Sequence, residues 1–449
     1  MSPQVALIAC TFFVLWLLCL DHKQSPKVSP AMWIPTIWML VTVSKPLGLW
    51  FETGGDMESG SLLDRTFLTI PLCLALIILL RRQFNLSNAI RENVWLMLLI
   101  GYMLASIAWS DLPYLSLKRW IREVIAIVMA FLILSEPEQH QAMQSMFRRT
   151  IYVLIPLSYI LIHYFPEYGR QYDKWTGGVM WCGVATQKNG LGLLCLIAAF
   201  FLIWSFIRRR QGRDIPATGY QTYLEAFIFI VTLWLMGGPK HNFSYSVTSN
   251  VTFILGLSVL IGLSWMKKHG AVIGPKVLIV IVALIIGCGT VTPFIGKLYL
   301  GDIPSAFERT STLTGRSGIW AKLIPFAMER PTWGYGFGGF WTDAMRKLID
   351  DPHAHNGYLD IILNLGFIGH IFISMFLLSC CRKAQREVTQ NFDWGILFIC
   401  YLVMAVTHNI AESSIVGITG TLPAFVLFLA VSSTAAATNK NNHMLSRTL

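Results

Sequence analysis

The segment His353-Ala354-His355-Asn356-Gly357-Tyr358 ends the longest polar stretch of the chain, just before an apolar run from Leu359 to Cys380. An imidazole changes charge near neutral pH and can take a proton from a hydroxyl, so this position suits acid–base chemistry on a substrate anchored in lipid. His355 follows an Asp350-Asp351-Pro352 turn and shares the stretch 299–357 with Arg309 and Arg316. Their guanidinium forks match phosphate oxygens. In an extended segment His353 and His355 share a face, so a metal seat with Asp350 or Asp351 is a second reading. No firm third and fourth ligands stand at a recognisable spacing, and the general-base reading is preferred.

Other polar stretches carry residues able to bind an anion or a sugar. Arg316 and Trp320 are four apart, which puts a cation and an indole on one helical face. Beyond them Pro331–Trp341 interleaves glycines with five aromatics, a bendable backbone lined with flat faces that suits sugar rings. An interfacial aromatic belt is the alternative. Lys188 and Asn189 stand at the mouth of an apolar run, where free backbone N–H groups make an anion seat, although snorkelling alone would also place a lysine there. Arg119 and Glu123 are spaced to pair on one helix face, either as an interfacial anchor or as part of a site.

The elements that must position these groups are membrane spans. Of the 449 residues, 54% are hydrophobic and only 13% charged, and the mean hydropathy is +0.56. No large soluble domain is left over. Apolar runs recur at about 4–20, 31–43, 62–80, 93–109, 121–135, 150–165, 190–207, 221–236, 249–266, 277–298, 358–380, 394–409 and 420–437. The expected fold is therefore all-α, a polytopic transmembrane helical bundle of about 12–14 spans forming a single membrane domain over 1–449. The first run has no basic flank or cleavage site and reads as a retained anchor. Alternate loops carry the arginines and lysines, among them Arg81, Arg82, Arg148, Arg149, Arg208–Arg210, Lys267 and Lys268, which places those loops in the cytoplasm and the long loop 299–357 outside. The net charge of +11 follows from this topology and implies no nucleic-acid partner. Eight of the nine cysteines lie in or beside apolar runs without metal spacing and read as packing residues.

No Walker loop, dinucleotide fingerprint or Gly-x-Ser-x-Gly elbow is present, so an activated donor must bring its own leaving group. His355-Asn356, nine residues, Gly366, two residues and Gly369 resemble the O-antigen ligase and O-antigen polymerase superfamily. Gly315-Arg316-x3-Trp320 with Pro331-x2-Gly334-x-Gly336 is similar to the start of its large periplasmic loop. Asn409 with Glu412-Ser413 resembles a further segment. Ser110-Asp111-x-Pro113, Lys188-Asn189-Gly190 and Trp33-Ile34-Pro35-Thr36 look most like the exopolysaccharide-polymerase members.

The resemblance implies an inverting, metal-independent membrane glycosyltransferase without cofactors, acting on undecaprenyl-diphosphate-linked glycans at the periplasmic face of the bacterial inner membrane. His355 would be the base for the acceptor hydroxyl. Arg316 would hold the diphosphate, with Lys188, Arg119 and Arg309 as further cations. Asn356, Trp320, Tyr335 and Glu412 would meet the acceptor or its sugars. Ligase members carry a second arginine in an earlier outward loop, where this chain reads Lys240-His241-Asn242-Phe243-Ser244. Polymerisation onto an acceptor glycan or lipid-linked repeat unit is the leading expectation. Transfer to lipid A-core by a ligase is the close rival, and a lipid-linked oligosaccharide flippase is a rival of another class. The crowding of ionisable groups at the outward rim favours an enzyme, since transporters place them near the bilayer midplane.

Overall fold

A computed structural model describes residues 2–51, 61–172, 177–213, 219–239, 245–271, 273–299 and 311–433. Each of the thirteen apolar runs falls on a helix. They are α1 (Pro3–Gln24), α2 (Trp33–Val43), α3 (Leu62–Arg81), α4 (Val94–Ala105), α5 (Pro113–Leu134), α6 (Gln139–Tyr164), α7 (Lys188–Arg210), α8 (Gly219–Gly237), α9 (Val247–Lys268) and α10 (Pro275–Tyr299), then α13 (Gly357–Gln390), α14 (Phe392–His408) and α15 (Thr421–Ser432). Between α10 and α13 lie α11 (Ser311–Glu329) and α12 (Asp343–Ile349). Among the described residues eight helices are long and apolar enough to cross a membrane, or up to nine if a pair bent at Asn93 counts as one span. Helices α2, α14 and α15 are shorter, and α5 carries Lys118, Arg119, Arg122 and Glu123 in its first half. The protein is a polytopic helical membrane protein. Side chains such as Phe12, Leu80 and Leu284 are exposed along it, as helices solvated by lipid require.

The chain forms two compact units. One comprises Met1–Phe84 and Val128–Val259. Here α1 and α2 pack on α6, and α7 packs on α8. Buried charges are paired. The Asp21 carboxylate accepts from Arg149 at 2.7 Å and from Ser145 at 2.6 Å, and Glu136 meets Arg82 at 2.6 Å and the Ser29 hydroxyl at 2.6 Å. A two-stranded antiparallel hairpin, β1 (Arg170–Tyr172) with β2 (Val179–Trp181), precedes α7. All nine cysteines are free.

The other unit comprises Asn85–Ile127 and Leu260–Leu449. Helix α13 packs against α4, α10 and α14, and α15 packs on α14. Nearly every side chain of α14 and α15 is buried, so these short helices, apolar on all sides, form the unit's interior. The stretch read as an outward loop has a core of its own, built from Trp320, Leu323, Ala327, Tyr335, Phe340, Trp341, Ile349, Ala354, Leu359, Ile362 and Leu363. It stands on α13, whose helix is broken at Gly366 (φ 65°, ψ −171°). That backbone suits glycine alone, and a Cβ there would lie 2.2 Å from the Thr332 carbonyl oxygen. The break frees a donor and an acceptor of the helix backbone, and the loop satisfies both. Phe367 N donates to the Pro331 carbonyl at 2.8 Å, and Tyr335 N donates to the Leu363 carbonyl at 2.9 Å.

Candidate functional site

His355 sits at the junction of three segments, and its own backbone is left-handed (φ 50°). A β-carbon makes that conformation costly, on the order of 1 kcal/mol, so the surroundings must hold it there. The preceding residues show how. Asp350, also left-handed at φ 61°, ends α12 by donating its N–H to the Arg346 carbonyl at 2.9 Å. The Ala354 N–H donates to the buried Asp360 carboxylate at 3.1 Å, and the Ala354 carbonyl accepts from Trp320 Nε1 at 2.8 Å. The other Asp360 oxygen accepts from Trp341 Nε1 at 2.7 Å. Fixed on both sides, the chain must turn the His355 ring toward the 409–420 loop.

There the imidazole lies between two carboxylates. Nε2 is 3.2 Å from Asp351 Oδ2 and Nδ1 is 3.4 Å from Glu412 Oε2. The other Glu412 oxygen accepts from Arg316 Nη2 at 2.7 Å. Thus His355 and Arg316, 39 positions apart, meet through one carboxylate that is 4% exposed. Burial by itself lowers the His355 pKa, but the hydrogen bonds and negative charges of Asp351 and Glu412 outweigh it and raise it to about 9. Burial would raise Glu412, yet His355 and Arg316 hold its carboxyl below the ordinary range. His353, whose ring centroid is 4.1 Å from that of His355, is driven down to about 4 by burial and by the neighbouring imidazolium. At neutral pH the group therefore holds one imidazolium, one neutral imidazole and one guanidinium beside two carboxylates. Asp351, His353 and His355 also bring one ligand-type atom each within 4.8 Å of one another. These atoms already pair among themselves, with His353 Nδ1 3.4 Å from Asp351 Oδ1.

Several residues expected to touch substrate are instead framework. Trp320 is 1% exposed and Tyr335 is 8% exposed, both inside the loop core, because large aromatic faces gain most by leaving water. Asn356 is fully buried and caps α13. Its Oδ1 accepts from Leu359 N at 2.9 Å, while its Nδ2 donates to the Gly289 and Ile410 carbonyls, each at 3.0 Å. Its place beside His355 therefore fixes the ring's pedestal. Glu412, expected on the sugar side, pairs instead with His355 and Arg316. Arg119 donates to the Gly338 carbonyl of the glycine-aromatic loop. Lys188 opens α7 in the other compact unit. Arg309 and Lys240–Ser244 lie outside the described residues.

Two further groups belong to the framework, of which the sequence pointed to Asn409 only as part of a motif and not to Asp360. Asp360 is a lone carboxylate one turn into an apolar span, and such a residue is rarely without a partner. Asn409 is buried, and its Oδ1 accepts from Ser414 N at 2.8 Å and Ile415 N at 3.0 Å, closing the loop that carries Glu412.

Residues 242–374 match the family model described as O-antigen ligase. That span takes in α10 to α12, Arg316 and His355, together with the break at Gly366. The chain is also 24% identical over 319 residues to the exopolysaccharide production protein ExoQ of Rhizobium meliloti (strain 1021), covering 67% of this chain and 67% of that protein. The resemblance to the O-antigen ligase and polymerase superfamily, on its exopolysaccharide side, is borne out by these two likenesses.

Proposed function

We propose, with the likeness to O-antigen ligases and to an exopolysaccharide production protein as premise, that this chain is a membrane glycosyltransferase that extends a polysaccharide. The donor is a glycan on undecaprenyl diphosphate, the acceptor a hydroxyl of a second lipid-linked repeat unit, and the site faces the periplasm from the bacterial inner membrane. The observation that carries the reading is Glu412 gripping Arg316 and His355 together. In transfer the bond between the anomeric carbon and the diphosphate oxygen breaks while the acceptor oxygen attacks the opposite face, so the anomeric centre inverts. Negative charge grows on the departing diphosphate. Arg316 is the cation placed for it, and a guanidinium fork in a half-buried site matches that charge without a metal. The acceptor proton goes to neutral His355. With a pKa of about 9, roughly one molecule in a hundred holds that form at pH 7, and the imidazole is a correspondingly strong base.

The other acceptor, lipid A-core, has the family model's description in its favour. Purified protein incubated with undecaprenyl-diphosphate-linked repeat units, with and without lipid A-core, separates the two. A ladder of longer lipid-linked glycans without lipid A-core supports polymerisation. Product only on lipid A-core favours ligation, and no product with either overturns the transferase.

A further inference from the structure

Helix α5 carries the one carboxylate in contact with the far end of the Glu412 loop among the hydrogen bonds described. Glu123 is 4% exposed, and the sequence spacing pairs it with Arg119 on a helix face. Its oxygens are turned to the loop instead. Oε2 accepts from Ile418 N at 2.6 Å and from Thr419 N at 3.1 Å, and Oε1 accepts from the Thr419 hydroxyl at 2.7 Å. The neighbouring residue must be small, since a Cβ on Gly417 would lie 2.4 Å from Oε1. Arg119, one turn earlier, donates to the Gly338 carbonyl, so one face of α5 grips both loops that frame the site.

The 409–420 loop is tied along its first half, where Gly357 N donates to the Asn409 and Glu412 carbonyls at 2.9 and 3.0 Å, and again at its far end. Asn409 holds its start through the Ser414 and Ile415 amides, and Glu123 holds its end. Glu412 lies between them and carries no rigid secondary structure of its own. Its carboxylate must nevertheless keep one oxygen at Arg316 and the other at His355, a tolerance of about half an ångström for a working site. The Gly357 bond fixes the Glu412 backbone, and Glu123 fixes the segment that follows it.

We infer that Glu123 is a positioning residue of the transfer site, acting through the Gly417–Thr419 backbone to hold Glu412 against Arg316 and His355. The inference rests on the proposed transfer, because it gives a purpose to the placement of those two groups. Glutamine at 123 can keep the arrangement, its carbonyl oxygen accepting from both amides and its amide donating to the Thr419 hydroxyl. Alanine cannot.

The test reads the proton affinity of His355 directly. His355 faces Asp351 and His353 from its own loop, Glu412 from the 409–420 loop, Arg316 of α11 through Glu412, and Asp360 of α13. Loss of the Glu412 contact lowers its affinity for a proton. Diethyl pyrocarbonate acylates neutral imidazole, and peptide mass spectrometry quantifies the adduct on His355 in the purified full-length protein across pH. E123Q should follow wild type, whereas E123A should be acylated faster at pH 7.5, about tenfold for each unit the midpoint falls. G417A, which crowds the same contact from the loop side, should shift the profile the same way and gives the reading if E123A does not accumulate. A wild-type His355 profile in either E123A or G417A overturns the inference. Because no glycan is present, the result is independent of turnover: a shifted profile in a protein that transfers nothing keeps the clasp and sinks the transferase reading, while an unshifted profile beside active transfer does the reverse.

Discussion

Replacing Glu412 by glutamine is the most discriminating single change to the site. The amide oxygen can still accept from Arg316, while the amide NH2 turned to His355 Nδ1 cannot accept from an imidazolium, so one of the two negative charges on His355 and its hydrogen bond disappear. That imidazole sits 3.2 Å from Asp351 and 3.4 Å from Glu412, with its pKa raised from 6.5 to about 9. An opposite charge at such a distance is worth about 1–3 pKa units, so the variant's imidazole should titrate about 1–2 units lower than wild type. If neutral His355 is the proton acceptor, the wild-type turnover rises with pH from 7 toward 9, and in the variant that rising limb moves to lower pH by the same interval. At pH 7 the neutral fraction climbs from about one in a hundred to one in ten or more. At pH 10, where both imidazoles are neutral, the variant should be slower because its base is weaker. The two curves therefore cross. The assay is single-turnover transfer from a lipid-linked repeat unit between pH 6 and 10. A limb that does not move, or a wild-type rate that falls between pH 7 and 9, would show that the imidazolium is the active form and refute the base assignment.

His355→Ala should cost about 10²–10⁴ in transfer rate with little loss of membrane-inserted protein, measured as glycan length on a gel beside the amount of purified protein. Arg316→Lys should keep part of the activity and Arg316→Ala almost none, read as kcat over KM for the donor, because a point charge lacks the bidentate fork. Asn356→Ala should instead damage the fold, costing about 1 kcal/mol for the helix cap and roughly 1–3 kcal/mol for each carbonyl left without its donor. A lower melting temperature should accompany that loss. Transfer should continue in excess chelator, since Arg316 supplies the positive charge at the departing diphosphate; activity lost to EDTA and restored by a divalent ion would instead make Asp351, His353 and His355 a metal seat.

Helix positions were legible from hydropathy, and each apolar run falls on a helix, but among the described residues only eight or nine of those helices are long and apolar enough to cross a membrane, not the roughly 12–14 expected. The shortness of α14 and α15 also had a meaning the run lengths could not carry: both are enclosed by protein on all sides. In the site, His355 and Arg316 could be singled out because an imidazole at a span boundary and a guanidinium beside an indole on one helical face are uncommon. Asn356, Trp320 and Tyr335 were placed on the substrate side, and the structure shows them buried. An amide or an aromatic ring in a polar loop serves equally as ligand or as framework, and only its burial tells them apart. The loop's private core is a product of tertiary packing that no local pattern announces. Glu412 and Glu123 were visible as residues, but what each grips depends on segments 96 and 295 positions away.

The break at Gly366 divides the work of α13. Residues 357–365 are bonded to the 331–335 segment and to the 409–412 turn, whereas the helix beyond the break runs on toward Gln390 as an ordinary span. A bilayer that thins, thickens or tilts its proteins pushes chiefly on long lipid-facing helices. An unbroken α13 would pass that push straight to His355. At Gly366 the helix changes direction, and the residues on both sides of the break, Leu363 before it and Phe367 after it, are bonded to the 331–335 segment. A change in the tilt of the long helix therefore reaches His355 through a layer of backbone hydrogen bonds and not along one continuous helix.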